Sequence, residues 1–220
     1  GLSFSMEPGS RLPEGYGQPR VIRLSDERLR IFASGVGGIR SAISQDDGMT
    51  FSREDGTRVN ASSFGLTDLT GPSNIVRTYD GRWRMFFSDL PRPGQTFMAH
   101  SIYSASSSDL LNWYPDSGAR IGPGAELTGS GEHPAAISNS DGSVSIFYFR
   151  NNTFKLMAAT SNDGLTFTTE SDTGLSSQGD QANDPDLVRI SGGMVRMYYN
   201  EGNEMGGRVR SAVHSGTPPW

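Results

Sequence analysis

The chain contains no cysteine, which excludes disulfide bonds, thiolate metal ligands and a cysteine nucleophile. No stretch approaches 18 consecutive apolar residues, so we predict no transmembrane helix and no membrane partner. The net charge of −5 does not favour a nucleic-acid partner, because phosphate binding requires a basic surface. Lysine occurs only at position 155 although lysine and arginine together number 19, a bias typical of GC-rich coding. We therefore expect a bacterial source. The location is left open, with a secreted or periplasmic one favoured.

Glycine, by contrast, is abundant. The chain has 28 glycines and a hydrophobic content of only 34%, with many serines and aspartates. This composition favours many short strands and turns over long helices. The length of 220 residues is enough for one large domain or two small ones with a real core.

One pattern occurs four times along the chain. Each copy has a short apolar run, a turn centred on Asp-Gly or its equivalent, and a second run that alternates with a period of two, which is typical of a β-hairpin. The copies are QPRVIRLSDERLRIFASG from Gln18, PSNIVRTYDGRWRMFFSD from Pro72, HPAAISNSDGSVSIFYFR from His133 and DPDLVRISGGMVRMYYNE from Asp184.

A third run follows each hairpin, at residues 39–44, 102–107, 156–161 and 209–214. Small Ser/Ala pairs in these runs predict a close approach of neighbouring sheets. Three of the runs lead into a Ser-x-Asp phrase that ends in an aromatic residue. In this phrase the aspartate can accept hydrogen bonds from its own turn, so we expect a structural role for Asp46, Asp109 and Asp163.

Repetition of a four-stranded antiparallel unit predicts an all-β fold, a β-propeller in a single domain of residues 1–220. Four blades are favoured, and five are left open because the second repeat is longer than the others. The blades are expected at about 18–59, 72–121, 133–175, and 184–215 together with 1–12. Residues 1–12 are assigned to the last blade because the last repeat lacks a fourth run. The segment GLSFSMEPGSRL can supply that run as an outer strand that closes the ring.

Aromatic residues recur in pairs on the second runs. Phe86–Phe87, Phe147–Tyr148 and Tyr198–Tyr199 are expected in the core, with one ring between blades and the other on the opposite face of the sheet. Trp83 and Trp113 are expected to pack between sheets.

Propeller geometry brings specific residues to one mouth of the ring. First strands run parallel around the axis, so their starts gather there, and the ends of the antiparallel second strands return to the same place. Unlike the framework positions, the residues at these places differ from blade to blade, as a functional surface on a repeat scaffold should. The candidate ligand contacts are Arg20, Asn74, Asp89, His133, Arg150, Asn183, Asp186 and Asn200.

Two features of the repeats resemble known families. The phrase SNDGLTF (161–167) resembles the Asp-box of sialidases and related propellers. Hairpins that begin with Asp-Pro or Glu-x-Pro and end with RMYY resemble the five-bladed glycoside hydrolases of the arabinanase, xylosidase and fructosidase group. The resemblance implies that Asp184 is a general base that activates water and Glu132 a general acid. Such an inverting pair needs about 6.5–9.5 Å between its carboxyl groups.

The sequence departs from that group in two places. His133 stands where the acid motif has glycine, and the third carboxylate is absent, although Asp89 could replace it. Asp184 could also merely cap the start of a strand. We therefore expect a carbohydrate-active propeller that is an inverting glycoside hydrolase, with a non-catalytic carbohydrate- or protein-binding propeller as the alternative.

Expectations about ligands follow from the same residues. A carbohydrate is the expected ligand, and Arg20 and Arg150 favour one that carries carboxylates or many hydroxyls. No cofactor is expected, but a cation near Asp184, Asp186 and His133 is left open, as is the oligomeric state. His100, in a long loop, and His214 are expected to be solvated.

Overall fold

The computed structural model describes residues 7–90, 100–175, 181–203 and 206–214, and these form four antiparallel sheets. Blade 1 contains β1 (Gly17–Arg23), β2 (Leu29–Gly35), β3 (Gly38–Ser44), β4 (Ser52–Arg53) and β5 (Val59–Asn60). Blade 2 contains β6 (Val76–Arg77), β7 (Trp83–Ser88), β8 (Ile102–Ser107) and β9 (Tyr114–Pro115). Blade 3 contains β10 (Glu132–Ser138), β11 (Val144–Arg150), β12 (Lys155–Ser161) and β13 (Thr169–Asp172). Blade 4 contains β14 (Gln181–Arg189), β15 (Val195–Asn203) and β16 (Gly206–His214).

Helical structure is scarce. Within the described ranges it amounts to two 3₁₀ turns, Ala61–Phe64 and Ser191–Gly193. No helix in this part of the chain is long and apolar enough to cross a membrane.

The Asp-Gly phrases form the tight turns that the sequence predicts. In blade 2 the backbone amide of Thr78 donates to the carbonyl of Arg82, and Gly81 adopts φ 76°. In blade 3 Asn139 and Ser143 make the same bond around Gly142, whose φ is 87°. Glycine tolerates this left-handed conformation without a steric penalty, which explains its place in each turn.

The four sheets surround one axis with their first strands innermost. Strand β10 contacts β6 and β7 of blade 2 and β14 of blade 4, and residues from the starts of all four first strands line a single central cavity. The fold is therefore a four-bladed β-propeller, as the repeats predict.

Three hydrophobic clusters lie between consecutive blades, one each for blades 1 and 2, 2 and 3, and 3 and 4. The aromatic residues of the second and third Ser-x-Asp phrases pack on the preceding blade. Trp113 meets Phe32 edge to face at 5.7 Å between ring centroids, and Phe167 meets Phe86 in the same way at 5.8 Å. Such pairs contribute about 0.5–1.5 kcal/mol beyond the burial of their area.

The expected aromatic core is confirmed in blades 2 and 3, where Phe86, Phe87 and Tyr148 are fully buried. Blade 4 differs. Tyr199 is buried, but Tyr198 is 44% exposed, so the prediction that both rings of this pair are core was wrong. Period-two alternation assigns the two residues to opposite faces of β15, but it cannot show which face a neighbouring blade covers.

The Ser-x-Asp turns hold themselves together by hydrogen bonds between their own residues. In the pairs Ser44–Asp46, Ser107–Asp109 and Ser161–Asp163, the serine hydroxyl donates to the carboxylate at 2.7, 3.0 and 2.7 Å. Asp46 also accepts from the hydroxyl and the amide of Thr50. The hydroxyl bond from Thr50 is the largest cause that lowers the pKa of Asp46 to about 2. These carboxylates have a structural role.

Buried arginines connect blades 1, 2 and 3. Arg30 donates to the Glu54 carboxylate at 2.7 Å within its blade and to the carbonyl of Leu110 in blade 2 at 3.1 Å. Arg84 repeats the arrangement one blade further on. It donates to Asp116 at 2.9 Å and to the carbonyl of Asp163 in blade 3 at 2.8 Å.

Part of the expected closing strand, residues 1–6, lies outside the described residues. Residues 7–12 belong to no strand, and Arg11 pairs with Glu7 at 2.5 Å.

Candidate functional site

A cavity of about 230 Å³ lies where the four first strands converge. The residue before a proline in each blade lines it: Gln18, Gly71, His133 and Asp184. Arg20 and Asp186 extend the lining along β1 and β14. The propeller thus brings four equivalent positions together around one space, and a different residue occupies the position in each blade.

An unusual backbone conformation places three of these side chains. Gln18, His133 and Asp184 all have φ of 48°, and the register of each hairpin shifts at this point, as at a β-bulge. Positive φ costs a residue with a Cβ about 1–3 kcal/mol, and such strain collects at functional sites. Histidine and aspartate are among the side chains that tolerate it best. The bulges turn these side chains towards the axis, where they line the cavity.

Blade 2 has glycine at the equivalent position because Gln18 occupies the space. The amide of Gly71 donates to Oε1 of Gln18 at 2.5 Å. A Cβ on Gly71 would lie 2.2 Å from the Cβ of Gln18 and 2.3 Å from its carbonyl oxygen. One side of the cavity is therefore closed by a blade 1 side chain resting on a blade 2 backbone.

His133 and Asp184 form an ion pair across blades 3 and 4, with Nδ1 of His133 2.6 Å from Oδ1 of Asp184. Burial by itself would lower the pKa of His133, but the hydrogen bond and charge of Asp184 outweigh it and the pKa is raised. The same hydrogen bond, helped by the charge of Arg20, lowers the pKa of Asp184. The Asp184 side chain is still 54% exposed, so a ligand in the cavity can reach it.

Asn74 and Asp186 connect blades 2 and 4 further along the axis. The Asn74 amide donates to Oδ1 of Asp186 at 3.0 Å. Arg20 lines the cavity near these groups and donates to the carbonyl of Pro19. The structure thus brings Arg20, Asn74 and Asp186, three predicted ligand contacts, to the same region as Asp184.

Glu132 pairs with a histidine of blade 2. Its Oε2 lies 3.2 Å from Nε2 of His100, and it is not among the residues that line the cavity. Nδ1 of His100 lies 2.9 Å from the backbone carbonyl of Asp89, whose carboxylate accepts from the amide of Ser101. The two predicted catalytic carboxylates therefore lie on neighbouring blades, and each is paired with a histidine.

His100 is buried, with 4% of its surface exposed, so the expectation of a solvated loop residue was wrong. Its position follows from topology. It lies two residues before the third strand of blade 2, and third strands start where second strands end, at the mouth. Its position before a third strand was the feature of the sequence that could have placed His100 at the mouth.

Other predicted contacts lie apart from the cavity. Arg150 pairs with Glu170 of its own blade, and Tyr148 also donates to this carboxylate. Burial lowers the pKa of Arg150 and raises that of Glu170. Asn183 and Asn200 stand opposite each other across β14 and β15.

Within the described part of the chain, no group of three or more histidine, aspartate or glutamate side chains is arranged to hold a metal ion. The residues considered for a cation, Asp184, Asp186 and His133, form no such group. The chemistry that this site offers is that of carboxylates and imidazoles.

Comparison with known proteins gives matches among solved structures alone. No family model matches the chain, and no curated protein does. A thermostable family-43 glycoside hydrolase aligns over 92% of this chain and 69% of its own, with a TM-score of 0.72 and 16% identity. The family-43 endo-arabinanase from Bacillus licheniformis covers 92% and 73%, with a TM-score of 0.68 and 16% identity.

A protein of unknown function from Dyadobacter fermentans is similar to a comparable degree, with a TM-score of 0.69 and 16% identity. That alignment covers 95% of this chain and 64% of the other, so the present chain spans less than two thirds of it. At these identities the likeness establishes the propeller fold that this chain shares with glycoside hydrolases.

Proposed function

We propose that this chain is a carbohydrate-active propeller that hydrolyses a glycosidic bond with inversion at the central mouth. The observation that carries the proposal is the Asp184 carboxylate, which lines an open axial cavity and whose pKa is lowered by its bond to His133. A general base must be unprotonated at the working pH, and the lowered pKa of Asp184 favours that form.

In the proposed reaction, Asp184 takes a proton from water as the water oxygen forms a bond to the anomeric carbon. Glu132 gives its proton to the leaving oxygen as the old glycosidic bond breaks, so one water is consumed and two hydroxyl products form. Arg20, Asp186 and His133 line the cavity with Asp184, and Asn74 donates to Asp186. These four residues are the proposed contacts for sugar hydroxyls. The similarity to family-43 hydrolases supports this assignment because they share the fold.

A second candidate is a propeller that binds carbohydrate without turnover. The observation that favours it is that both carboxylates already have protein partners: Asp184 pairs with His133 and Glu132 with His100. A hydrolase needs a ligand to compete with these contacts, whereas a binding protein does not.

The test is a screen of arabinan, xylan and galactan oligosaccharides, with products followed by proton NMR of the anomeric signals. Hydrolysis is expected, with the product formed first in the inverted anomeric configuration. Glu132→Gln and Asp184→Asn should each lower kcat by about 10²–10⁴-fold, the usual contribution of a general acid or base. Glu126→Gln, an exposed glutamate, is the matched control and should retain activity.

The outcomes separate the two candidates. Saturable binding of an oligosaccharide without product would replace the hydrolase with the binding protein. Full activity in Asp184→Asn, with an unchanged unfolding transition, would remove this residue from the mechanism.

A further inference from the structure

Glu132 belongs to a buried chain of three residues that crosses from blade 2 to blade 3. Asp89 directly follows β7, His100 precedes β8, and Glu132 begins β10. Nδ1 of His100 lies 2.9 Å from the carbonyl oxygen of Asp89 and 3.5 Å from its carboxylate, and Nε2 lies 3.2 Å from Oε2 of Glu132. The side chains of His100, Asp89 and Glu132 are 5%, 14% and 15% exposed.

The Asp89 carbonyl determines the tautomer of His100. A backbone carbonyl only accepts hydrogen bonds, so Nδ1 must carry the proton at this contact. In its neutral form His100 therefore presents a bare Nε2 to Glu132. The contact between Nε2 and Oε2 then requires one proton between them, either on the imidazole facing a carboxylate or on the carboxyl group facing a neutral imidazole.

We propose that His100 is a positioning residue for Glu132, which it orients and with which it shares one proton, while Asp89 holds the imidazole in the required tautomer. The inference rests on the proposed function, because His100 would supply a proton to Glu132, the residue that must protonate the leaving group. An isolated glutamate loses its proton near pH 4, below the pH at which most proteins work.

The surrounding charges favour retention of that proton. Asp89 and Glu132 are the anionic groups that face His100, and His133 is the cationic group close enough to oppose them. The contact with the Asp89 side-chain carboxylate is the largest cause of the raised pKa of His100, and it outweighs burial. When Glu132 gives its proton to a leaving oxygen, His100 is left neutral and Glu132 is left anionic. A proton from bulk water then restores the shared proton of the pair.

Nitrogen NMR of the imidazoles tests the proposal on the intact chain without a substrate. The chain has three histidines, so His100→Gln assigns the signal. We expect the neutral form of His100 to carry its proton on Nδ1. In Glu132→Gln the pKa of His100 should fall by about one unit or more, the size expected for loss of an opposite charge in contact. Glu126→Gln is the matched control and should leave it unchanged.

Asp89→Asn separates the two roles of Asp89. Its backbone carbonyl remains, so the Nδ1 tautomer should persist while the pKa of His100 falls. Observation of the Nε2-protonated tautomer in the unmodified protein would overturn the proposal. So would the same His100 pKa in Glu132→Gln and Glu126→Gln.

The proposal and the proposed function fail in different ways. If no glycoside is hydrolysed, the NMR result still establishes or removes the proton-sharing pair. If a glycoside is hydrolysed, His100→Gln should move the alkaline limb of the pH–rate profile to lower pH. Loss of activity by one factor at every pH would show a merely structural role and contradict the proposal.

Discussion

Nδ1 of His133 lies 2.6 Å from Oδ1 of Asp184, and the two residues hold the same position before a proline in neighbouring blades. The pKa of His133 is raised, so its contribution to stability is present below the ordinary value of 6.5 and is lost as pH rises through the folded-state pKa. The pKa of Asp184 is lowered, so its contribution is present above 3.8 and is lost as pH falls.

The pair should therefore stabilise the fold most between about pH 4 and pH 6.5. Urea unfolding near pH 5.5 is expected to show a larger loss of stability for His133→Gln than unfolding near pH 9. The loss should be small because the Asp184 side chain is 54% exposed and solvent screens the pair. Asp184→Asn and the double variant complete a mutant cycle, and additive effects at both pH values would contradict the pairing.

Replacement of Gly71 by alanine tests the contact between blades 1 and 2. The new Cβ would meet both the Cβ and the carbonyl oxygen of Gln18 at distances that real atoms do not adopt. We expect a loss of about 1–3 kcal/mol in the free energy of unfolding, as for other overpacked sites. Gly35→Ala is the matched control, because its new Cβ meets only the flexible side chain of Arg40 at 3.3 Å. Equal losses in the two variants would show that the contact is absent.

Replacement of Arg84 by methionine tests the buried connection between blades 2 and 3. Its side chain is 2% exposed, and its removal takes away the ion-pair partner of the Asp116 carboxylate, which is 11% exposed. We expect a loss of about 3–5 kcal/mol by chemical denaturation, the usual effect of breaking a buried ion pair. Arg28→Met breaks a solvent-exposed pair with Asp26 and should change stability little. A loss for Arg84→Met no larger than that of Arg28→Met would contradict the structural role of Arg84.

The fold could be predicted from the sequence because its signals are local and repeated. Asp-Gly turns such as those at Gly81 and Gly142 require positive φ, and period-two runs on either side of them have one buried face. The serines of the third strands show the limit of this reasoning. Their small size predicted a close approach of sheets, but Ser41 and Ser104 also donate to the partly buried carboxylates of Glu54 and Asp116.

The placement of the candidate residues was predicted in part. The first-strand starts were expected to gather at one mouth, and Arg20, His133, Asp184 and Asp186 do line one cavity. The pairing of the residues could not be predicted. The direction of the Glu132 side chain depends on the bulge at His133 and on the burial of His100. Both are properties of the folded backbone. Arg150 was expected at the mouth but does not line the cavity. It pairs instead with Glu170, on the outer strand of the same blade, and this pairing holds the guanidinium away from the axis.

The arginines that join the blades also affect the order in which the chain can fold during synthesis. Arg30 bonds to a carbonyl 80 residues further along the chain, and Arg84 bonds to one 79 residues further along. A nascent blade leaving the ribosome therefore has a guanidinium whose second acceptor has not yet been translated. Native contacts of such long sequence separation slow folding, because loop closure precedes the gain from each contact. We expect the early blades to stay incompletely ordered until their successors emerge, so that translation pauses after blade 1 would expose this protein to aggregation.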